Sequence, residues 1–131
     1  MTNEFSMRIR VRYADVDRMS FAYNSRYLEW FEMVRTEFIR SRGVTYKQLE
    51  EMGILLPVSE AYCHYKKPAI YDELITVFSV IREASRIKVT FDYRIEGEDG
   101  RTIASGWTTH PFVSAEGRPV RVSDSILEML K

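Results

Sequence analysis

The sequence predicts an α+β fold in which an antiparallel sheet of about five strands curves around one long central helix. Three observations carry that expectation. Apolar residues alternate with arginines over 7–13, which is the period of a half-buried strand. From Ser25 the period changes to that of a helix, with Tyr27, Trp30, Phe31, Val34, Phe38 and Ile39 on one face. After residue 55 the two-residue period returns and holds to residue 113. A lone helix with so aromatic a stripe needs a broad partner, and a curved sheet is the simplest one. At 131 residues the chain fits one domain, 1–131, large enough for a single core.

The elements follow in order. Met7, Ile9, Val11 and Tyr13 form the buried face of the first strand; Arg8, Arg10 and Arg12 are its solvated face. Residues 14–24 break the alternation and form a loop carrying Asp15, Asp17, Ser20 and Asn24. Asn24 or Ser25 caps the helix, whose other face holds mostly Glu29, Glu32, Arg35, Glu37 and Arg40; Gly43 suits its end. Residues 45–52 form a short second helix closed by Gly53. A meander of about four strands follows. It comprises 55–66, then a break at Pro68 and a turn at Tyr71-Asp72, then 74–82, 86–96 and 102–113. Glu98-Asp99-Gly100 makes a hairpin turn, and Pro111 implies an edge or a bulge. Ser123 caps a final short helix over 124–130.

Composition removes several function classes. Lys plus Arg and Asp plus Glu both number 19, so there is no basic excess for nucleic acid. Cys63 is the only cysteine, so no internal disulfide exists, and its place in the strand pattern reads as a small buried hydrophobe. Met1-Thr2-Asn3-Glu4 does not open a signal peptide, and no apolar run approaches the ~20 residues of a membrane helix. The expectation is a cytoplasmic protein without a membrane partner. His64 and His110 are too few and too isolated for a metal site. No G-x-S-x-G occurs, so a serine-hydrolase mechanism is not expected.

Two segments carry a resemblance. Tyr13-Ala14-Asp15-Val16-Asp17, followed after nine residues by Tyr27-Leu28-Glu29-Trp30-Phe31-Glu32 and then Arg35, resembles the opening motif of 4-hydroxybenzoyl-CoA thioesterase-like proteins. Residues 65–73, Tyr-Lys-Lys-Pro-Ala-Ile-Tyr-Asp-Glu, resemble that family's turn between its second and third strands. The resemblance implies a hotdog fold and hydrolysis of acyl-CoA without metal or cofactor. It implies that Asp17 is nucleophile or general base. It implies that backbone N–H groups at Asn24 and its neighbours hold the thioester carbonyl. It also implies homodimers, commonly homotetramers, with active sites at the dimer interface. The chain departs from the family at Ser20-Phe21, where glycine is usual at the first position, and at Asn24, where histidine is common. Acyl-carrier-protein thioesterases of the same fold have asparagine there.

The chemistry fits the residue types. Thioester hydrolysis needs a carboxylate to attack or to activate water, and donors to stabilise the developing oxyanion. A carboxylate in a loop entering a helix N-terminus supplies both. The plainer reading of Asp17 is a turn aspartate, and of Asn24 a helix cap. Glu32 is a competing carboxylate, otherwise paired with Arg35 or Arg26. Ser20, Phe21 and Tyr27 are expected to contact substrate. Lys66, Arg82 and Arg86, with Lys67 and Lys88, are candidate partners for the CoA phosphates. The rivals are an acyl-carrier-protein thioesterase, a dehydratase or hydratase of the same fold, and a non-catalytic acyl-binding module.

Overall fold

The computed structural model describes residues 3–131; the reading of the N-terminus through Met1 and Thr2 lies outside them. Five strands form one antiparallel sheet: β1 (Phe5–Arg10), β2 (Glu60–Tyr65), β3 (Leu74–Ala84), β4 (Lys88–Glu96) and β5 (Thr102–Pro111). Their spatial order is β1-β3-β4-β5-β2. Helix α1 (Asn24–Ser41) packs on this sheet, while α2 (Tyr46–Glu51) and α3 (Asp124–Leu130) are short. This is the hotdog arrangement.

The apolar stripe drives the packing. Tyr27, Trp30, Phe31, Val34, Phe38 and Ile39 are all buried on α1. They meet Ile75 and Val77 of β3, Val89, Phe91, Tyr93 and Ile95 of β4, and Ile103 of β5 in one core. Aromatic contacts fix the register between helix and sheet. Phe31 stacks on Tyr93 with centroids 4.3 Å apart, and Phe38 lies between Phe5 at 5.4 Å and Phe91 at 6.2 Å. The short helices begin as their sequences require. Thr45 and Gln48 form a reciprocal capping box, and Ser123 accepts from the Ile126 N–H.

Several expectations are corrected. β1 ends at Arg10, and Tyr13 is 80% exposed in a tight turn spanning Tyr13–Asp15. The Asp15 carboxylate accepts from both the backbone and the guanidinium of Arg12, closing that turn and ending the strand. The meander has three strands, β3-β4-β5; β2 instead lies beyond β5 at the far edge of the sheet. β2 starts at Glu60, after Pro57, which has no N–H to donate; Leu55 makes only an isolated bridge to Val113. Pro111 ends β5, which is an interior strand, and marks neither an edge nor a bulge. The irregularities lie between Ile81 and Glu83 and between Ile95 and Glu96. The residue capping α1 is Tyr23, and Asn24 is already helical.

A polar chain runs beneath α1. Arg35, 7% exposed, donates Nε–H to the Tyr46 hydroxyl at 3.0 Å and Nη1–H to the Tyr93 hydroxyl at 3.1 Å. The Tyr93 and Thr108 hydroxyls are 2.5 Å apart, and Thr108 is 2.8 Å from His110 Nε2. His110 Nδ1 lies 3.2 Å from the Leu56 carbonyl, which can only accept. Every link is satisfied in one direction only. Arg35 donates to Tyr93, Tyr93 to Thr108, Thr108 to neutral His110, and His110 to Leu56. Burial, then the Arg35 charge, pushes the His110 pKa down to about 4.

Two predictions follow from this packing. His110 ionises more readily unfolded than folded, so its contribution to stability is complete above about pH 6.5 and lost as pH falls toward 4. Urea titrations across that range should show stability dropping by up to about 3 kcal/mol, and the slope should flatten in His110→Gln. An unchanged slope would contradict the buried neutral histidine. The second concerns Gly106. A Cβ there would collide with the Tyr62 carbonyl and press on the Phe31 ring. Gly106→Ala should cost about 1–3 kcal/mol by thermal unfolding; wild-type stability would show that β2 and β5 are less tightly apposed.

Candidate functional site

The site is built where the loop after β1 meets the segment after β2. Isolated bridges join Val16 to Ala22 and Phe21 to Ile70. Inside the loop the Asp17 N–H donates to the Phe21 carbonyl at 2.9 Å, and the Ser20 N–H donates to the Asp17 carbonyl at 3.0 Å. Asp17 Oδ1 accepts from the backbone N–H groups of Met19 at 2.8 Å and Phe21 at 3.2 Å. Among the described residues Oδ2 accepts no hydrogen bond. One carboxylate oxygen therefore ties the turn while the other accepts no hydrogen bond among the described residues, so the turn role leaves an oxygen unengaged. Ser20 takes a left-handed φ of +66°, the conformation glycine adopts freely, and its carbonyl accepts from the Tyr71 N–H at 3.0 Å.

The loop delivers the chain into α1 without a side-chain cap. Tyr23 stands at the cap position, where a phenol does not do the work of a serine or aspartate. Its own N–H donates to the Asp15 carbonyl at 2.9 Å, and the Ala22 N–H to the Ala69 carbonyl at 2.9 Å. The N–H groups of Asn24 and Ser25 have no acceptor among the described residues. They stand at the positive end of an 18-residue helix.

The opposite wall comes from the end of β2. The Tyr65 hydroxyl donates to the Asn24 carbonyl at 3.2 Å, and its ring meets Tyr27 edge to face at 5.0 Å. The Tyr27 hydroxyl accepts from the Ala69 N–H at 3.0 Å, and burial pushes its pKa up. Two arginine–carboxylate pairs brace the frame. Burial alone would raise the Asp15 carboxyl, but Arg12 and Arg26 outweigh it and hold its pKa below the ordinary value. Arg101 clamps Glu73 through both oxygens and also donates to the Pro68 carbonyl.

Between these walls lies a cavity of about 300 Å³ lined by Asp17, Phe21, Asn24 and Tyr27 on one side and Tyr65, Lys66 and Lys67 on the other. Six of the expected residues thus share one cavity: Asp17, Phe21, Asn24, Tyr27, Lys66 and Lys67. Ser20 shapes the loop but does not line it. Arg82 pairs with Asp92 and lies over Trp107, while Arg86 sits against Asp124 of α3; both are outside this cavity. Glu32 is exposed further along α1, also outside it. Tyr65 was not anticipated as a site residue; its signal is that it opens the motif at 65–73. Burial raises the Cys63 pKa, which suits a packing residue better than a nucleophile. Among the described residues no three His, Cys, Asp or Glu side chains cluster to hold a metal ion, and no helix is long and apolar enough to cross a membrane.

The chain resembles known proteins along nearly its whole length. The family model described as the thioesterase-like superfamily matches residues 11–130. A crystal structure of a hypothetical protein from Aquifex aeolicus is 36% identical, with a TM-score of 0.90, covering 97% of this chain and 99% of that one. The acyl-CoA thioesterase YbgC of Haemophilus influenzae is 32% identical over 96 residues, 72% of this chain and 71% of that protein. A 4-hydroxybenzoyl-CoA thioesterase structure shares the fold, with a TM-score of 0.89 at 17% identity, over 99% of this chain and 100% of the other. On its fold and on the match over residues 11–130, this chain belongs to the thioesterase-like superfamily.

Proposed function

We propose that this protein hydrolyses acyl-CoA thioesters to free acid and CoA, with Asp17 as base or nucleophile and the N-terminus of α1 as the oxyanion site. One observation carries the reading: Asp17, with an unengaged carboxylate oxygen, and Asn24, whose N–H at the start of the helix has no acceptor among the described residues, line the same cavity, and the open Ser25 N–H comes next in the helix. The thioester carbonyl would sit on the Asn24 and Ser25 N–H groups. Asp17 either adds to the carbonyl carbon or takes a proton from water as the water adds. Negative charge then collects on the oxygen facing the helix, where the donors and the helix dipole bind it more strongly than they bind a neutral carbonyl. Collapse of the intermediate expels the CoA thiolate; where water adds, this gives the free acid directly, and where Asp17 adds, it leaves an acyl–Asp17 anhydride that a water molecule then hydrolyses to the free acid and the aspartate. The membership in the thioesterase-like superfamily supports this chemistry.

Lys66 and Lys67 at the mouth, with no ion pair among the described residues, suit the CoA phosphates. Arg82 and Arg86 reach a CoA tail only from a second copy. The outer edge of β2 is unpaired in one chain, and a second copy joining there would continue the sheet and roof the cavity, giving a homodimer or a tetramer of such dimers. The same lysines would also accept an acidic carrier protein, so acyl-carrier-protein substrates are the second reading. In both, the single domain acts in the cytoplasm without a metal or a cofactor.

Thiol release from a panel of acyl-CoAs and matched acyl-carrier-protein substrates tests the reading. Asp17→Asn should lower kcat by roughly 10²-fold or more, as loss of a base or nucleophile requires. Lys66→Ala with Lys67→Ala should raise KM for acyl-CoA and weaken its dependence on ionic strength. Unchanged turnover in Asp17→Asn would move the chemistry elsewhere. Acyl binding without turnover on any carrier would make the protein a binding module.

A further inference from the structure

A second cavity of about 300 Å³ lies further along α1. Leu28, Val58 and Ala61 give it apolar walls, Arg35 and Thr108 reach it from below, and Glu29 and Glu32 stand at its rim. The lining residues of the second cavity follow those of the first along both walls. Residue numbers rise along α1, from Asn24 and Tyr27 to Leu28 and Arg35, while they fall along the β2 side, from Tyr65 to Ala61 and Val58.

Arg35 is out of balance there. The buried carboxylates Asp15 and Glu73 are each matched by arginine. The buried guanidinium of Arg35 has no carboxylate paired with it among the described residues, only the two phenol hydroxyls of Tyr46 and Tyr93. Its Nη2 donates to nothing among them. The guanidinium is largely withdrawn from water without a counter-anion while Nη2 stays accessible, so an anion entering the cavity would complete its pairing.

Resting on the acyl-CoA reading above, we propose that this second cavity receives the far end of the acyl group and that Arg35 selects acyl groups ending in a carboxylate. From Asn24 to Arg35 the helix rises about 16 Å, and side chains lean back toward the helix N-terminus, so a medium-length acyl chain spans the distance. Thr108 is committed to His110 and adds no donor. Glu29 is paired with Arg26, leaving Glu32 as the charge that opposes an anion at the rim.

The test compares ω-carboxyl acyl-CoAs with plain acyl-CoAs of equal length, at about six to ten carbons to match the helix rise. At the best length kcat/KM should favour the ω-carboxyl substrate by roughly 10-fold or more, the effect of one hydrogen bond to a charged group. Glu32→Gln should widen the preference. Arg35→Met should pull the ratio to about one, and Ala61→Leu, which fills the cavity while leaving Arg35 in place, should do the same. In parallel, free suberate is titrated into the wild-type protein while the methyl resonances of Leu28 and Val58 are followed. Equal kcat/KM at every length, or no suberate-dependent shift at those methyls, overturns the carboxylate site. Suberate shifts at those methyls without turnover of any thioester would uphold the site and sink the hydrolase reading.

Discussion

The burial of α1 against the sheet is the constraint on which the rest depends. Phe31 lies flat on Tyr93, and Phe38 is held between Phe5 and Phe91. These contacts fix both the rotation and the axial position of α1. Its first residues are thereby placed opposite the end of β2, where Tyr65 meets Tyr27 and the Asn24 carbonyl. The helix needs no side-chain cap because tertiary packing supplies the stability a cap would otherwise add. That leaves N–H groups of Asn24 and Ser25 open at the helix start. Core packing and site chemistry are therefore parts of one arrangement.

The loop between β1 and α1 answers the complementary problem of holding a carboxylate near those donors. Asp17 is tied by one oxygen to the Met19 and Phe21 N–H groups, which limits its rotamers at no cost to its other oxygen. Behind the loop, Asp15 anchors Arg12 and Arg26, and Glu73 anchors Arg101. Both acids are buried, and both stay ionised because the arginines outweigh the burial penalty. The charged groups here brace the backbone; they are distinct from the groups facing the cavity.

Much of this was legible in the sequence. The stripe from Tyr27 to Ile39 has helical spacing and is buried as a face, and the alternation from Val89 to Ile95 is buried as a strand face. Asp17 and Asn24, singled out through a motif whose spacing bridges a loop and the first turns of a helix, line one cavity. What the sequence concealed is long-range. Nothing local shows that β2 crosses to the far side of β5, because a six-residue strand looks the same beside any partner. The sequence offers Arg82 and Arg86 as partners for the CoA phosphates, while Asp92 and Asp124 reach them only through sheet pairing and the return of the C-terminal helix. The chain from Arg35 to His110 joins residues 75 positions apart, beyond any periodicity. Tyr23 as the residue at the helix cap was missed because Asn24 has the better capping propensity, and loop geometry overrode it.

The central claim is that the carboxylate of Asp17 and the N–H groups at the start of α1 act on one carbonyl. The most direct measurement is the infrared stretch of an isotope-labelled thioester carbonyl in an acyl-CoA bound to the slow Asp17→Asn protein. Polarisation by the helix N–H groups predicts a shift to lower frequency than in water, and a smaller shift when Asn24 is replaced by proline, which removes one donor. A carbonyl absorbing at its solution frequency, in a complex saturated with ligand, would contradict the account.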